Sequence, residues 1–351
     1  MWSLWVLLAA MLLPAQASAH EVYVLDPETI LRAIDSVSAN PFTAFWGNET
    51  QFFFWGFVCF VGFSTIFFMS IFHRLEVAFS PLFARLKKYA GPAARVTLGA
   101  PLIASAYHGA LFGPELPLAS FGPALEVLIK AVLYLSGSLI LIGLYSRMAS
   151  LLLAPVFIVS IIWYGSYMAT YANYFGEALF VLIVGGGGLY ALKDTQLPRS
   201  LRRLFHEFEK YSWPILRISF GLSVAFAAFY AKFLHSDLAL ETIAAYDLLN
   251  FFPFEPLFVV LGAFIIESLI GIFYIVGLEI RWNAIFFLFW IFLSLLYFGE
   301  AVWPHLVLIG LEQQFILAGA VGGLLVQVEA AVAVGRKDDA LSVRRPHRVP
   351  F

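Results

Sequence analysis

The sequence predicts an all-α integral membrane protein, a polytopic bundle with an N-terminal anchor helix followed by two tandem four-helix units. Three observations predict it. Hydrophobic residues make up 61% of the 351 positions against 13% charged, with a mean hydropathy of +0.86, a composition that requires lipid as solvent. Apolar runs of membrane-spanning length recur along the chain. Lys and Arg collect in every second connection.

The elements follow in order. Met1 to Ala19 reads as a signal peptide, with a short apolar core, Pro14 and an Ala17-Ser18-Ala19 cleavage signal, although no basic residue precedes the core. Residues 20–51 form a polar outer segment in which Pro27 to Ser38 suits a short amphipathic helix on the membrane. Asn48-Glu49-Thr50 has the form of a glycosylation acceptor, relevant only to a eukaryotic secretory route. Nine spans are expected from runs of about 17–25 apolar residues: Phe52–Phe72, the anchor within 52–73, then Val96–Leu111, Leu125–Tyr145, Met148–Ala169, Ala178–Leu192, Ile215–Phe233, Leu257–Leu278, Trp282–Phe298 and Leu306–Val334. The four-helix units are bounded at 95–192 and 213–334, and 335–351 is a basic tail.

Charge supports this count. With the mature N-terminus outside and the C-terminus cytoplasmic, all of the 21 Lys and Arg except Arg32, Lys130 and Lys232 fall in or beside cytoplasmic segments, while Glu115, Glu177, Asp237, Glu241, Asp247, Glu255 and Glu300 sit in or beside outer loops. That is the positive-inside pattern, and it places the chain in a plasma membrane of the bacterial inner-membrane type. A net charge of -2 gives no basis for nucleic-acid binding. The single Cys59 excludes, within one chain, a disulfide framework, a CxxC redox pair and a thiolate metal site. The 37 Phe fit lipid contact and helix packing.

Two stretches align. Arg95-Val-Thr-Leu-Gly99 matches Arg217-Ile-Ser-Phe-Gly221. Gly137-(x)5-Gly143-Leu-x-x-Arg147 matches Gly271-(x)5-Gly277-Leu-x-x-Arg281. Tyr174-Phe-Gly-Glu177 recurs as Tyr297-Phe-Gly-Glu300 and is expected at the outer end of each unit's third helix. Three matches in one order point to duplication. Both units begin in the cytoplasm with an even number of helices. They are therefore parallel repeats, which weakens a rocking-bundle transporter reading.

These residues resemble the DoxX/DoxD family of small four-helix membrane proteins. The second unit is the better match, through Arg217, Gly221, Lys232, Glu267, Gly277, Arg281, Gly299, Glu300 and His305. In the first unit Ala110 replaces Lys232 and no His follows Glu177. The resemblance covers about two-thirds of the chain. It implies association with a redox or quinone-linked complex and a soluble or membrane redox partner, since the DoxD type is the quinone-side subunit of a thiosulfate:quinone oxidoreductase. The chain has no haem, flavin or Fe–S motif, so a quinone or a partner would carry electrons. Whether the chain is itself an enzyme, and its oligomeric state, are open from sequence.

Ionisable side chains within spans are functional candidates because they are costly there. Glu300 and His305, beside Trp303 and Pro304, could pass a proton between a quinol and the outer phase; the alternative places them in headgroup water as helix caps. Glu177 is their counterpart. Glu267 needs a proton or a partner, with Arg217, His108 and Lys130 as candidates. Glu126 and Lys130 have i,i+4 spacing for an intrahelical pair, and His108 suits a packed neutral imidazole. Glu312-Gln313-Gln314, with Gln327 and Glu329 beyond, would glue helices or line a wet cavity. Arg95, Arg147, Arg217 and Arg281 are expected to reach lipid phosphates from span ends. Gly185 to Gly188 suit close helix contact or a kink. No metal site is expected beyond a one-residue signal at His20, which cleavage after Ala19 would expose as an amine–imidazole chelate. Two other functions compete: a small-solute or ion transporter or channel, and a non-catalytic scaffold.

Overall fold

The structure, a computed structural model, describes residue 25 and residues 27–48, 50–185, 199–300 and 302–319. The expected signal peptide, His20, Glu49, Gly186 to Gly188, Gln327, Glu329 and the basic tail lie outside the described residues. The described chain is predominantly helical, with one bridge, Ala110 to Pro117, outside the helices. A short outer helix α1 (Pro27–Asp35) and the single turn α2 (Thr43–Asn48) precede the long α3 (Phe52–Leu86). Then come α4 (Ala90–His108), α5 (Pro123–Ile142), α6 (Ser146–Leu152), α7 (Ala154–Tyr164) and α8 (Ala172–Val184). The remainder is α9 (Arg199–Phe229), α10 (Ser236–Ala245), α11 (Pro256–Val276), α12 (Ile280–Phe298) and α13 (Leu306–Ala318).

Six helical stretches among the described residues are long and apolar enough to cross a membrane: Phe52–His108, Pro123–Ile142, Ser146–Val184, Phe205–Leu234, Pro256–Val276 and Ile280–Phe298. The chain is an integral membrane protein with several membrane-crossing helices. Two of the six stretches double back. Arg147 near the start of Ser146–Val184 bonds the carbonyls of Leu182, Ile183 and Val184 at its end, so the chain reverses around the 3₁₀ segment Gly165–Tyr171. In Phe52–His108, Glu76 pairs with Arg281, which also bonds the end of α13 at Ile316, whereas His108 stacks on Trp303 just before α13 begins. α3 and α4 therefore run in opposite directions. α3 itself extends to Leu86, beyond the expected Phe72, and α9 starts at Arg199, well before the expected Ile215. Their polar extensions remain helical because a charged face can continue a helix past the hydrocarbon, where side chains reach water.

Close packing begins at glycine. A Cβ on Gly99 would stand 2.7 Å from the Gly137 carbonyl oxygen, and one on Gly221 would stand 2.5 Å from that of Gly271. Without hydrophobic drive between helices in lipid, such backbone approach is how apolar helices adhere. α4 thus meets α5 through the same residues by which α9 meets α11. Gly143 and Gly277 end α5 and α11 in the left-handed conformation, with φ of 71° and 87°, which only glycine adopts without strain. Tyr145 and Glu279, two residues on, also have positive φ.

Arg147 and Arg281 correct one expectation. They do not reach for lipid phosphate but turn inward onto the last carbonyls of α8 and α13. Arg147 Nε donates to Leu182 O at 3.2 Å and Arg281 Nε to Ile316 O at 2.6 Å, each across 35 residues of sequence. Helix ends leave carbonyls without intrahelical donors, and a cation satisfies both those oxygens and the helix dipole. Gly176 of α8 lies against Ser219 of α9, and Gly310 of α13 against Thr97 of α4.

The Tyr-Phe-Gly-Glu match is a second correction. Tyr174 to Glu177 lie inside α8, whereas Tyr297 to Glu300 run off the end of α12. The two tetrapeptides occupy unlike places, and Gly176 corresponds in packing to Gly310. In the main core cluster Phe220, Tyr274 and Phe315 meet ring to ring at centroid distances of 4.7–5.4 Å, and smaller clusters form around Trp303, Phe258 and Val260. Most of α3 by contrast shows its Phe and Ile side chains outward, and Cys59 is exposed there.

Candidate functional site

The end of the bundle opposite Arg147 and Arg281 holds the densest chemistry. Gly299 stops α12, and the 3₁₀ turn Trp303–His305 then leads into α13. This brings Glu300 back beside His305, with Oε2 and Nε2 3.1 Å apart and both side chains almost fully buried. Ser294 donates to Glu300 Oε1 at 2.9 Å. Of the two readings of this pair, free exposure as helix caps does not fit, because both side chains are buried within the protein. Burial, with Glu300 beside it, raises the phenol of Tyr246 above its ordinary range.

Next to this pair, the indole of Trp303 stacks on His108 at the end of α4, with ring centroids 4.8 Å apart and planes within 13°. His108 is thus a ring partner rather than a counter-ion for Glu267. Beyond it the chain makes a small hairpin, in which Leu111 N–H donates to Leu116 O at 2.8 Å and Leu118 N–H to Gly109 O at 2.8 Å. His108, Gly109, Ala110, Pro114, Pro117 and Trp303 line an open pocket of about 160 Å³. Pockets for drug-sized ligands run from about 300 Å³ upward. This one is about half that size, and its two aromatic lining residues, His108 and Trp303, are stacked on each other.

Glu267 finds a partner the sequence did not suggest. Lys232, in the π-helical turn Tyr230–Leu234 that continues α9, reaches it at 3.0 Å. Removing one member of such a pair costs about 3–5 kcal/mol, whereas replacing both by apolar groups is close to neutral. Glu267 keeps some exposure, so the lower end of that range applies. Lys232→Met alone is therefore expected to lower thermal stability in detergent, and Lys232→Met with Glu267→Leu to restore most of it. Glu126 and Lys130 are not among the ion pairs of the described residues. Their helix face is otherwise apolar, and both ends of the side chains can snorkel separately.

Two further carboxylates sit in the core. Glu177 of α8 accepts hydrogen bonds from Thr97 of α4 and Gln314 of α13, and Gln314 Nε2 also donates to Thr97 Oγ1 at 2.6 Å. Glu312 accepts from Tyr274 at 2.5 Å. Glu177, Glu312 and Gln314 are fully buried. Gln314 accordingly ties three helices together, in line with the glue role expected of the 312–314 triplet. Arg95 and Arg217, each one turn before its glycine, are also buried, and Arg217 Nε and Nη1 lack hydrogen-bond partners among the described residues. Sequence reasoning missed Thr97, Tyr274 and Trp303. Only Trp303, adjacent to Pro304 and His305, carried a local signal.

Compared with known proteins, the chain matches no family model, no curated protein and no solved structure.

Proposed function

We propose that the chain is a multi-pass membrane subunit of a quinone-linked redox assembly. It takes a quinol headgroup in the His108–Trp303 cavity and passes its proton to the His305–Glu300 pair. The quinone-linked association is what the DoxX/DoxD resemblance implies; the cavity as its site is added from the structure. The observation that supports it is the buried carboxylate–imidazole pair, whose His305 follows Trp303 by two residues in one turn, the Trp303 indole and His108 lining a small pocket. A quinol hydroxyl loses its proton only as its electrons leave, so a partner protein is needed to accept them. An imidazole with a carboxylate behind it is an arrangement suited to accept a proton.

The organisation that goes with this function is nine passes: the anchor α3 and two four-helix units, with the Arg147–Arg281 end in the cytoplasm. Support comes from the paired features. Gly99–Gly137 and Gly221–Gly271 make the same close approach, Arg147 and Arg281 cap α8 and α13 across equal lengths of chain, and the fourth helix of each unit lies on the first helix of the other through Gly176–Ser219 and Gly310–Thr97.

Calorimetric titration of the purified protein in lipid nanodiscs with a short-chain quinone tests the reading. Binding is expected, weakened by about tenfold or more, a loss of about 1.4 kcal/mol, in Trp303→Leu and His305→Ala. A wild-type protein with no affinity for the quinone, or binding indifferent to both substitutions, overturns it.

A further inference from the structure

Glu267 sits where an uncovered charge is most costly. It is eleven residues into α11 from Pro256, about 16 Å along the helix, and so lies near the middle of a hydrocarbon layer of about 30 Å. Its carboxylate meets the Lys232 ammonium at 3.0 Å, yet the two are unequally covered. Lys232 keeps 6% of its side chain exposed and Glu267 30%. A carboxylate left open to hydrocarbon is strongly disfavoured. Stability does not call for the pair either, since apolar side chains would join α9 and α11 about as well.

The surroundings of the pair are built for an apolar chain. Lys232 projects from the π turn Tyr230–Leu234, and such turns are frequent at functional sites. A row of rings runs beside it. Phe229 stacks on Phe233 at 5.0 Å between centroids, Phe233 meets Phe264 at 6.0 Å, and Phe42 stands edge-on to both Phe233 and Phe264. Phe229 is exposed, and Phe264 and Ser268, on either side of Glu267 along α11, are half-buried.

The polar end of a ligand follows from which partner is open. An ionised carboxylate only accepts hydrogen bonds, and the ammonium beside it already balances its charge. A group arriving from the bilayer must therefore donate hydrogen without bringing charge. A ketone, ester or ether oxygen only accepts, and a second cation would be repelled by Lys232. A hydroxyl meets the requirement.

We propose that the Lys232–Glu267 pair is a lateral binding site for an uncharged, hydroxyl-headed lipid. The hydroxyl donates to the Glu267 carboxylate, and the tail lies along the Phe229, Phe233 and Phe264 rings. The site shares no residue with the His108–Trp303 pocket and does not depend on quinone binding.

Photolabelling of the full chain in phosphatidylcholine nanodiscs with a diazirine-bearing octanol, with adducts mapped by mass spectrometry, tests it. Label is expected on α11 at and around Glu267. Hexadecanol is expected to suppress it at concentrations at least about tenfold lower than hexadecyl methyl ether, the scale of one hydrogen bond to a charged group. In Lys232→Met with Glu267→Leu, whose melting curve is expected near that of the wild type, adducts on Phe264 and Ser268 are expected to fall by about tenfold or more. The proposal is overturned if α11 takes no label, if alcohol and ether compete equally, or if the double variant labels like the wild type. A disulfide dimer formed on oxidation by Glu267→Cys in a Cys59→Ser chain also overturns it, by placing a second copy rather than a lipid against that face.

Discussion

Arg281→Gln is expected to lower stability by about 3 kcal/mol, the lower end of the cost of breaking a buried ion pair from one side, because Glu76 keeps some exposure. Arg281 is 4% exposed and does three things at once. It pairs with Glu76 of α3, donates to Ile316 O at the end of α13, and lies over the Phe83 ring with its guanidinium 3.6 Å from the centroid. Glutamine can reach at most one of these. The loss leaves Glu76 without its cation and the α13 carbonyl without its donor, and it unfastens α3 from the bundle. Thermal unfolding of the detergent-solubilised protein, followed by circular dichroism, measures it. Arg147→Gln is the control. Arg147 donates to three carbonyls and its guanidinium stands 5.8 Å from the Phe205 ring, against 3.6 Å for Arg281 over Phe83, so a clearly smaller loss is expected there. Equal losses at both positions would mean that capping, not the Glu76 pair, dominates at Arg281.

That arginine also marks how far sequence reasoning reached. The Gly-Leu-x-x-Arg match was legible because it is local and occurs twice. Its purpose was not, because position near a span end says only how deep a side chain starts, not which way it turns. The helical membrane class was legible for a stronger reason. Lipid leaves backbone groups no partner but the helix itself, so apolar runs decide the secondary structure. Separate spans within Phe52–His108 and Ser146–Val184 were expected from the apolar runs, although α3 and α9 continue well past the limits that hydropathy suggests. The Glu177 environment was misread because a four-residue identity outweighed register. Arg147 and Arg281 have the same separation in sequence as Gly176 and Gly310, and that spacing pairs α8 with α13 rather than with the end of α12. The partners of Glu177 and Glu267 come from helices distant in sequence, and no single-chain pattern encodes which face of one helix meets another. Trp303 on His108 was hidden for the same reason.

Glycine substitutions are expected to divide by sign within this one molecule. At Gly99, Gly137, Gly221 and Gly271 a methyl group would stand within 2.5–2.9 Å of a carbonyl oxygen, a backbone nitrogen or a packed side chain of the opposing helix. Backbone cannot move aside without separating α4 from α5 or α9 from α11. Alanine at any of the four is expected to cost about 1–3 kcal/mol through overpacking, and leucine to prevent assembly of the bundle. At Gly56 and Gly62 on the lipid-facing α3 nothing lies within 4 Å of the added carbon. There alanine is expected to stabilise by up to about 1 kcal/mol, its advantage over glycine inside a helix. The two groups share helical backbone and apolar surroundings, so propensity alone predicts stabilisation at all six. Melting curves that rise for Gly221→Ala and Gly271→Ala would show that α9 and α11 do not meet backbone to backbone. A fall at both, together with a rise at Gly56 and Gly62, isolates helix contact as the force that closes the bundle.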